Sequence, residues 1–139
     1  MLGKIGSSEN LIVYGFTVVR KELRDTPKNL VKKGRKFRST LLKSYDALIQ
    51  GHDLQLTKPV EALGEEYLTN YTGDISKKKL RNDFLIVACA TLNQLDILVS
   101  EDNHSMFSRK AIEAYNKVNS ENGLKAPNFH SIKQLERLL

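Results

Sequence analysis

The chain has 139 residues, of which 40% are hydrophobic and 27% charged, as expected for one globular domain. Its net charge of +6 favours anionic partners, with nucleic acid first among them. The single cysteine, Cys89, excludes an internal disulfide and suits a reducing compartment. No apolar run reaches the about 20 residues that a membrane-spanning helix needs, and no signal peptide is recognisable. We therefore expect a cytoplasmic protein that makes no membrane contact.

The first half of the chain predicts one strand followed by three helices. The β-rich run at residues 11–15 predicts a buried strand that glycine stops. Residues 16–23 predict a short helix, and residues 28–50 a long amphipathic helix that Gly34 weakens. After a connector, residues 59–71 predict the third helix.

The second half predicts a buried helix, then alternating strands and helices. The helix follows a loop at residues 72–76 and ends near residue 94, and its segment 84–92 is apolar on nearly every side. Residues 96–100 predict a strand of a parallel sheet that is covered on both faces, and residues 106–120 predict a helix. A short extended piece follows at residues 128–129, and a last helix at residues 131–139. This alternation predicts an α/β fold in which helices outnumber strands.

Three acidic residues stand in settings that suit ligands of a divalent metal. Asp102 follows the end of the strand at residues 96–100, where open α/β sheets place their sites. Asp83 begins the apolar run of the buried helix, and Glu22 lies on the first helix among basic residues. A hard cation such as Mg²⁺ compensates carboxylates at the edges of buried segments. Simpler roles remain open: a polar turn that caps the next helix for Asp102, a helix cap for Asp83, and surface ion pairs for Glu22.

Other candidate residues point to nucleic acid and away from zinc. Seven basic residues stand between Lys28 and Lys43 with no acid among them, which suits phosphate binding beside a metal site. A solvated helix face is the alternative explanation. No pair of histidines has metal-binding spacing, so we expect no zinc site. Cys89 lies within an apolar run and predicts a buried thiol.

Taken together, the three acids and their neighbours resemble the PIN domain. This is a family of metal-dependent ribonucleases that includes the toxins of many toxin–antitoxin pairs. The family's helical glutamate matches Glu22 in VVRKEL, and its aspartate leading an Ala-rich helix matches Asp83 in NDFLIVACA. Its strand ending in Thr/Ser-x-Asp matches Ser100 and Asp102 in DILVSEDN. The resemblance covers nearly all of the chain from Leu11 onward.

The resemblance implies a fold, an activity and partners. The fold would be a single PIN-like domain over residues 1–139, with a short parallel sheet flanked by helices in three layers. The activity would be endoribonuclease cleavage of RNA phosphodiester bonds with Mg²⁺ or Mn²⁺, which Glu22, Asp83 and Asp102 would hold while Ser100 orients Asp102 or a water. Because clustered carboxylates repel one another, at least one should have a raised pKa without metal. A homodimer and a protein antitoxin are also implied.

One part of the family pattern is missing from the sequence. The family's opening strand, which ends in its first aspartate, should precede residues 11–15, and the only acid there is Glu9, away from any strand end. We expect that strand to lie upstream of Met1, or to be supplied by another chain or a rearranged strand. The alternative function is a catalytically incomplete PIN-like module that binds RNA or a protein. A weaker alternative is an unrelated α/β domain whose acids are structural caps.

Overall fold

The computed structural model of the protein describes residues 11–24, 31–32 and 35–138. The chain divides into two compact units, an N-terminal unit up to Gln55 and a C-terminal unit from Leu56 onward. Each unit contains helices together with one short parallel strand pair, so the chain is α/β in the general sense predicted. The expectation of one PIN-like domain over residues 1–139 stays a prediction.

The described part of the N-terminal unit combines a parallel and an antiparallel strand pair with two helices. Its elements are β1 (Gly15–Phe16), α1 (Thr17–Arg24), β2 (Val31–Lys32), β3 (Arg35–Lys36), α2 (Phe37–Ile49) and β4 (Asp53–Leu54). Strand β1 pairs in parallel with β4, with Gly15 opposite Asp53, and β2 pairs antiparallel with β3. The short helix predicted after the first strand is confirmed as α1.

One tyrosine of α2 ties the backbone of β1 to the helix. The Tyr45 hydroxyl accepts a hydrogen bond from the Phe16 N–H at 2.8 Å and donates to Phe16 O at 3.3 Å. The neighbouring Gly15 lies so close to α2 that an added Cβ would meet Ile49 Cδ1 at 2.8 Å. Glycine is therefore the residue that lets this strand approach the helix.

The first strand is shorter than the sequence predicts. Residues 11–14 have no regular secondary structure, and only Gly15 of the predicted run belongs to β1. The parallel register would place the preceding residues opposite the turn before β4, where Gln50 and Gly51 have φ angles of 48° and 82°. That turn is not extended, so it offers the run no strand to pair with.

The helix predicted over residues 28–50 begins only at Phe37, and Lys28 lies outside the described residues. The backbone ahead of it forms the β2–β3 pair instead, with Val31 opposite Lys36. Basic residues repeat here at three- and four-residue spacing, and like charges at that spacing destabilise a helix. Gly34, also outside the described residues, lowers helix propensity by about 1 kcal/mol relative to alanine.

In the C-terminal unit the elements follow the prediction closely. They are α3 (Lys58–Asn70), α4 (Lys77–Leu92), β5 (Ile97–Val99), α5 (Arg109–Glu121), β6 (Asn128–His130) and α6 (Ile132–Leu138). Hydroxyl side chains cap the first three helices: Thr57, Ser76 and Ser108 accept from the N–H three residues on. None of the helices in the described part of the chain is long and apolar enough to span a membrane.

Three fully buried aromatic rings join helices α3, α4 and α5. Tyr67, Phe84 and Tyr115 are each 0% exposed. Their rings meet edge to face, at centroid distances of 5.1 Å for Tyr67–Tyr115, 5.2 Å for Phe84–Tyr115 and 6.5 Å for Tyr67–Phe84. Such pairs contribute about 0.5–1.5 kcal/mol each beyond the area they bury, so this cluster fixes the three helices relative to one another.

Helix α4 is buried on most of its sides from Phe84 to Thr91, as predicted for an apolar helix between other layers. Gly64 of α3 allows close approach, since a Cβ there would meet Leu85 Cδ2 at 3.0 Å. Cys89 is 2% exposed, which confirms the buried thiol.

The strand pair of this unit is parallel, with Ile97 opposite Asn128 and Val99 opposite His130. The pairing confirms the predicted parallel strand after α4. The expectation that this strand is covered on both faces is wrong, because all three residues of β5 are only half-buried. In the part of the chain that the structure describes, β6 is its one hydrogen-bonded neighbour.

A buried polar contact inside the helical core gives a stability prediction. The Tyr67 hydroxyl donates to Asn119 Oδ1 at 2.6 Å, while Asn119 Nδ2 has no hydrogen-bond partner among the described residues. Tyr67→Phe leaves the Asn119 amide without this bond, so we expect the free energy of unfolding in urea to fall by about 1–3 kcal/mol. Adding Asn119→Leu removes the unpaired amide and should recover part of the lost free energy of unfolding. Equal or greater loss in the double variant would contradict this account.

Candidate functional site

Asp83 lies on α4, within the helix rather than at its start. The helix is capped by Ser76, whose hydroxyl accepts from the Lys79 N–H at 3.3 Å. The capping role considered for Asp83 is therefore wrong. The next residue, Phe84, is fully buried in the aromatic cluster, so Asp83 is held in place while its own side chain stays half-buried.

Asp102 lies in the loop that follows β5 and organises that loop through hydrogen bonds. Its Oδ1 accepts from the backbone N–H of His104 at 3.0 Å and of Ser105 at 2.9 Å. Its backbone carbonyl accepts from the Phe107 N–H at 3.0 Å. The predicted polar turn is present, as is usual for aspartate. It does not cap α5, because Ser108 does so.

The two aspartates converge on one hydroxyl group. Ser105 Oγ lies 2.7 Å from Asp83 Oδ2 and also forms a hydrogen bond with Asp102 Oδ2. We call Asp83 and Asp102, bridged by Ser105, the acid pair. It joins α4 to the loop after β5, two segments far apart in the sequence.

A single hydroxyl hydrogen cannot serve two ionised carboxylates. One of the two contacts needs a second proton on a carboxyl group, or a cation that draws both carboxylates together. With Asp83 protonated, its carboxyl group donates to Ser105 Oγ, and Ser105 donates to Asp102 Oδ2. This chain of donors satisfies every atom of the bridge.

The electrostatic environments of the two carboxylates favour the same placement of the proton, on Asp83 rather than on Asp102. Burial raises the pKa of Asp83, the Ser105 hydrogen bond opposes that rise, and the Asp102 charge adds to it. The Ser105 hydroxyl lowers the pKa of Asp102 despite some desolvation, and the N–H groups of Ser105 and His104 lower it further. One raised pKa was predicted from repulsion between carboxylates, but burial is the larger cause here.

Ser100 and Ser105 serve the acid pair in different ways. Ser100 Oγ accepts from the Asp102 N–H at 3.0 Å, so it positions the backbone of Asp102 rather than the carboxylate. Ser105, which contacts both carboxylates, was missed by the sequence analysis. The available signal was its place three residues after Asp102, a spacing at which an aspartate commonly accepts from backbone N–H groups.

Glu22 belongs to the N-terminal unit, where it is exposed on α1. On the same helix, Arg20 forms a two-point ion pair with Asp46, with Nε–Oδ1 at 2.9 Å and Nη2–Oδ2 at 3.0 Å. The structure thus brings together two of the three predicted acids and describes Glu22 within the other unit. Of the basic stretch, Lys43 is exposed on α2, and Lys28 and Lys33 lie outside the described residues.

The opposite pKa shifts of the acid pair give opposite pH dependences of stability. Raising the folded-state pKa of Asp83 favours folding at low pH, and this contribution is lost as the pH rises through that pKa. Lowering the pKa of Asp102 favours folding above the unfolded value of about 3.9, and this is lost as the pH falls.

We therefore expect Asp83→Asn, measured by urea unfolding in EDTA, to gain stability relative to wild type as the pH rises from mildly acidic to neutral. Asp102→Asn should instead lose stability relative to wild type as the pH rises through the strongly acidic range up to about 3.9, where the wild type gains its favoured carboxylate, and should run parallel to wild type at higher pH. If the free energy of unfolding of the wild type and of both variants depended on pH in the same way, the opposite pKa shifts would be contradicted.

The donor set of the acid pair fits a hard divalent cation in its chemistry. Two carboxylates with a shared hydroxyl are oxygen ligands, and Mg²⁺ commonly uses one or two carboxylates and fills its remaining positions with water. Within the described residues, no three side chains of His, Cys, Asp or Glu are grouped as a metal site. Comparisons of the chain with protein-family models, curated proteins and solved structures found no match.

Proposed function

We propose that the protein is a metal-dependent endoribonuclease of the PIN type, which hydrolyses phosphodiester bonds in RNA. The observation that carries the proposal is the convergence of Asp83 and Asp102 on the Ser105 hydroxyl. Two carboxylates that a helix and a strand-end loop bring to one point offer oxygen ligands of the kind that a divalent cation uses. The PIN-like arrangement of a three-layer fold around a parallel sheet is part of the same proposal.

In this proposal Asp83 and Asp102 hold Mg²⁺ or Mn²⁺ directly or through water, and Glu22 is the third ligand. The bound ion would supply an activated water and offset negative charge on the scissile phosphate. The inclusion of Glu22 rests on the sequence resemblance, whereas that of the two aspartates rests also on their shared hydroxyl.

The residues around the acid pair support a preorganised site. The N–H groups of His104 and Ser105 fix Asp102 Oδ1, which leaves Oδ2 directed to the bridge. Ser105 sets the spacing of the two carboxylates, and Ser100 fixes the backbone from which Asp102 projects. Ligands held by such outer hydrogen bonds need little rearrangement on binding.

The substrate class follows from charge, and the biological partners from the resemblance. A net charge of +6 favours a polyanion such as RNA. The family resemblance extends the proposal to a toxin that a protein antitoxin holds in check, and to a homodimer.

A second candidate function is a catalytically incomplete module that binds RNA or a protein. The observation in its favour is that Asp102 already has a structural task, since its carboxylate accepts two backbone N–H groups of its own loop. An aspartate needed for the loop would be retained without catalysis.

Metal binding provides the first test. Millimolar Mg²⁺ or Mn²⁺ should raise the melting temperature by several degrees, since a ligand at a hundredfold its Kd stabilises by about 2.7 kcal/mol. Asp102→Asn should remove this shift, and Asp74→Asn, an exposed acid of the same unit, should retain it. An unchanged melting temperature of the wild type in both metals would exclude a metal centre at the acid pair.

RNA cleavage provides the second test. We expect the wild type and Asp74→Asn to cut a single-stranded RNA in Mg²⁺ but not in EDTA, and Asp102→Asn to be inactive. Ser105→Ala should lose about 10–100-fold in rate, as for residues that orient metal ligands. Full activity of Glu22→Gln would show that Glu22 is not part of the site. RNA binding without cleavage by the wild type would favour the binding module instead.

A further inference from the structure

An open groove of about 470 Å³ lies beside the loop that carries Asp102. Its volume falls within the range of about 300–1,000 Å³ usual for small-molecule sites. It is bounded by that loop, by β6 and by one side of α6, all in the C-terminal unit. We call it the α6 groove, and the residues that matter to its chemistry are Ser100, Asn103, Phe107, Phe129, Lys133 and Arg137.

Two phenylalanine rings form an apolar platform in the α6 groove. The rings of Phe107 and Phe129 lie 4.9 Å apart at an angle of 44°. Phe129 also contacts the ring of Tyr115 at 5.8 Å, and the Tyr115 hydroxyl donates to Met106 O at 2.7 Å. Because Tyr115 is fully buried in the helical core, the platform is anchored rather than loose. Half-buried aromatic faces of this kind suit stacking of a flat ring.

Two cations stand on the α6 side of the groove. Lys133 and Arg137 are one helical turn apart and exposed, and neither forms an ion pair within the described part of the chain. Among the described residues that line the groove there is no carboxylate. The nearby Glu101 accepts from the Ile132 N–H at 2.7 Å and so is engaged at the start of α6. The groove therefore offers positive charge next to aromatic rings.

The same loop builds both the acid pair and the α6 groove. Asp102 and Ser105 of this loop belong to the pair, whereas Ser100, Asn103 and Phe107 line the groove. The Phe107 N–H donates to the Asp102 carbonyl at 3.0 Å, which links the aromatic platform directly to the acidic residue. A chain that crosses the acid pair is thus within reach of the groove.

We propose that the α6 groove binds one nucleotide of single-stranded RNA next to the phosphodiester at the acid pair. The base stacks on the ring of Phe107, against which Phe129 packs at an angle, and the phosphate lies between Lys133 and Arg137. This assignment rests on the proposed function for its substrate class and adds a specific subsite to it. Stacking with flanking cations tolerates any base, so the subsite predicts strand selectivity rather than sequence selectivity.

The test measures binding without cleavage. A short 2′-O-methyl RNA that carries 2-aminopurine is titrated with the protein in EDTA, and the chain has no tryptophan to interfere. Stacking on the platform should quench the 2-aminopurine fluorescence. Phe107→Leu keeps an apolar side chain but removes the ring, and should weaken both the quench and the affinity, the latter about fivefold or more.

Charge variants test the phosphate contact. Lys133→Gln with Arg137→Gln should lower the slope of log affinity against log salt by about 0.7, the value for one neutralised phosphate of a single strand. Lys58→Gln with Lys117→Gln removes the same charge from exposed positions outside the groove and should leave the slope nearly unchanged. Equal slopes in the two double variants would overturn the proposal, as would the absence of quenching by the wild type.

Two further results separate this subsite from the nuclease proposal and from another kind of ligand. Groove binding together with no metal-dependent cleavage would support the subsite and reject the nuclease. Displacement of the oligonucleotide by poly-glutamate at equal charge would overturn the subsite, because charge alone would then explain the binding.

Discussion

The contacts among Tyr67, Phe84 and Tyr115 are the constraint on which the rest of the C-terminal unit depends. Phe84 directly follows Asp83 on α4, so the burial of its ring fixes the position of the Asp83 carboxylate. Tyr115 supports Phe129 on one side and holds the Met106 carbonyl on the other. The loop of Asp102 and the aromatic platform are therefore both attached to the same packed core. Close-packed cores position attached groups well because they have few alternative arrangements.

The acid pair shows how packing and electrostatics act together. Burial makes an ionised Asp83 unfavourable, and the N–H groups of the loop make an ionised Asp102 favourable. Burial therefore opposes ionisation of Asp83, whereas the loop favours ionisation of Asp102, and the two carboxylates meet at one hydroxyl. A cation bound by both carboxylates would offset the cost of an ionised Asp83, which is the chemical basis of the proposed metal site.

Sequence reasoning worked best where a pattern was long and periodic. The C-terminal helices carry apolar residues at helical spacing over several turns, and their positions were predicted closely. It failed at residues 31–32 and 35–36, which form paired strands: the repeated basic residues suggested a helix face but disfavour a helix through repulsion. Asp83 and Asp102 were identified because the first begins an apolar run and the second follows one. Ser105 was not identified, since nothing in the sequence around it reveals a partner 22 residues earlier on helix α4.

The buried thiol of Cys89 can report on the opening of helix α4. It is the only thiol in the chain, it is 2% exposed, and it lies on the same helix as Asp83. Asn93 Nδ2 contacts its sulfur at 3.6 Å. A thiol reagent can reach it only when α4 opens, so the labelling rate measures the local opening free energy of this helix. Dynamics of the helix can thus be followed without introducing any new residue.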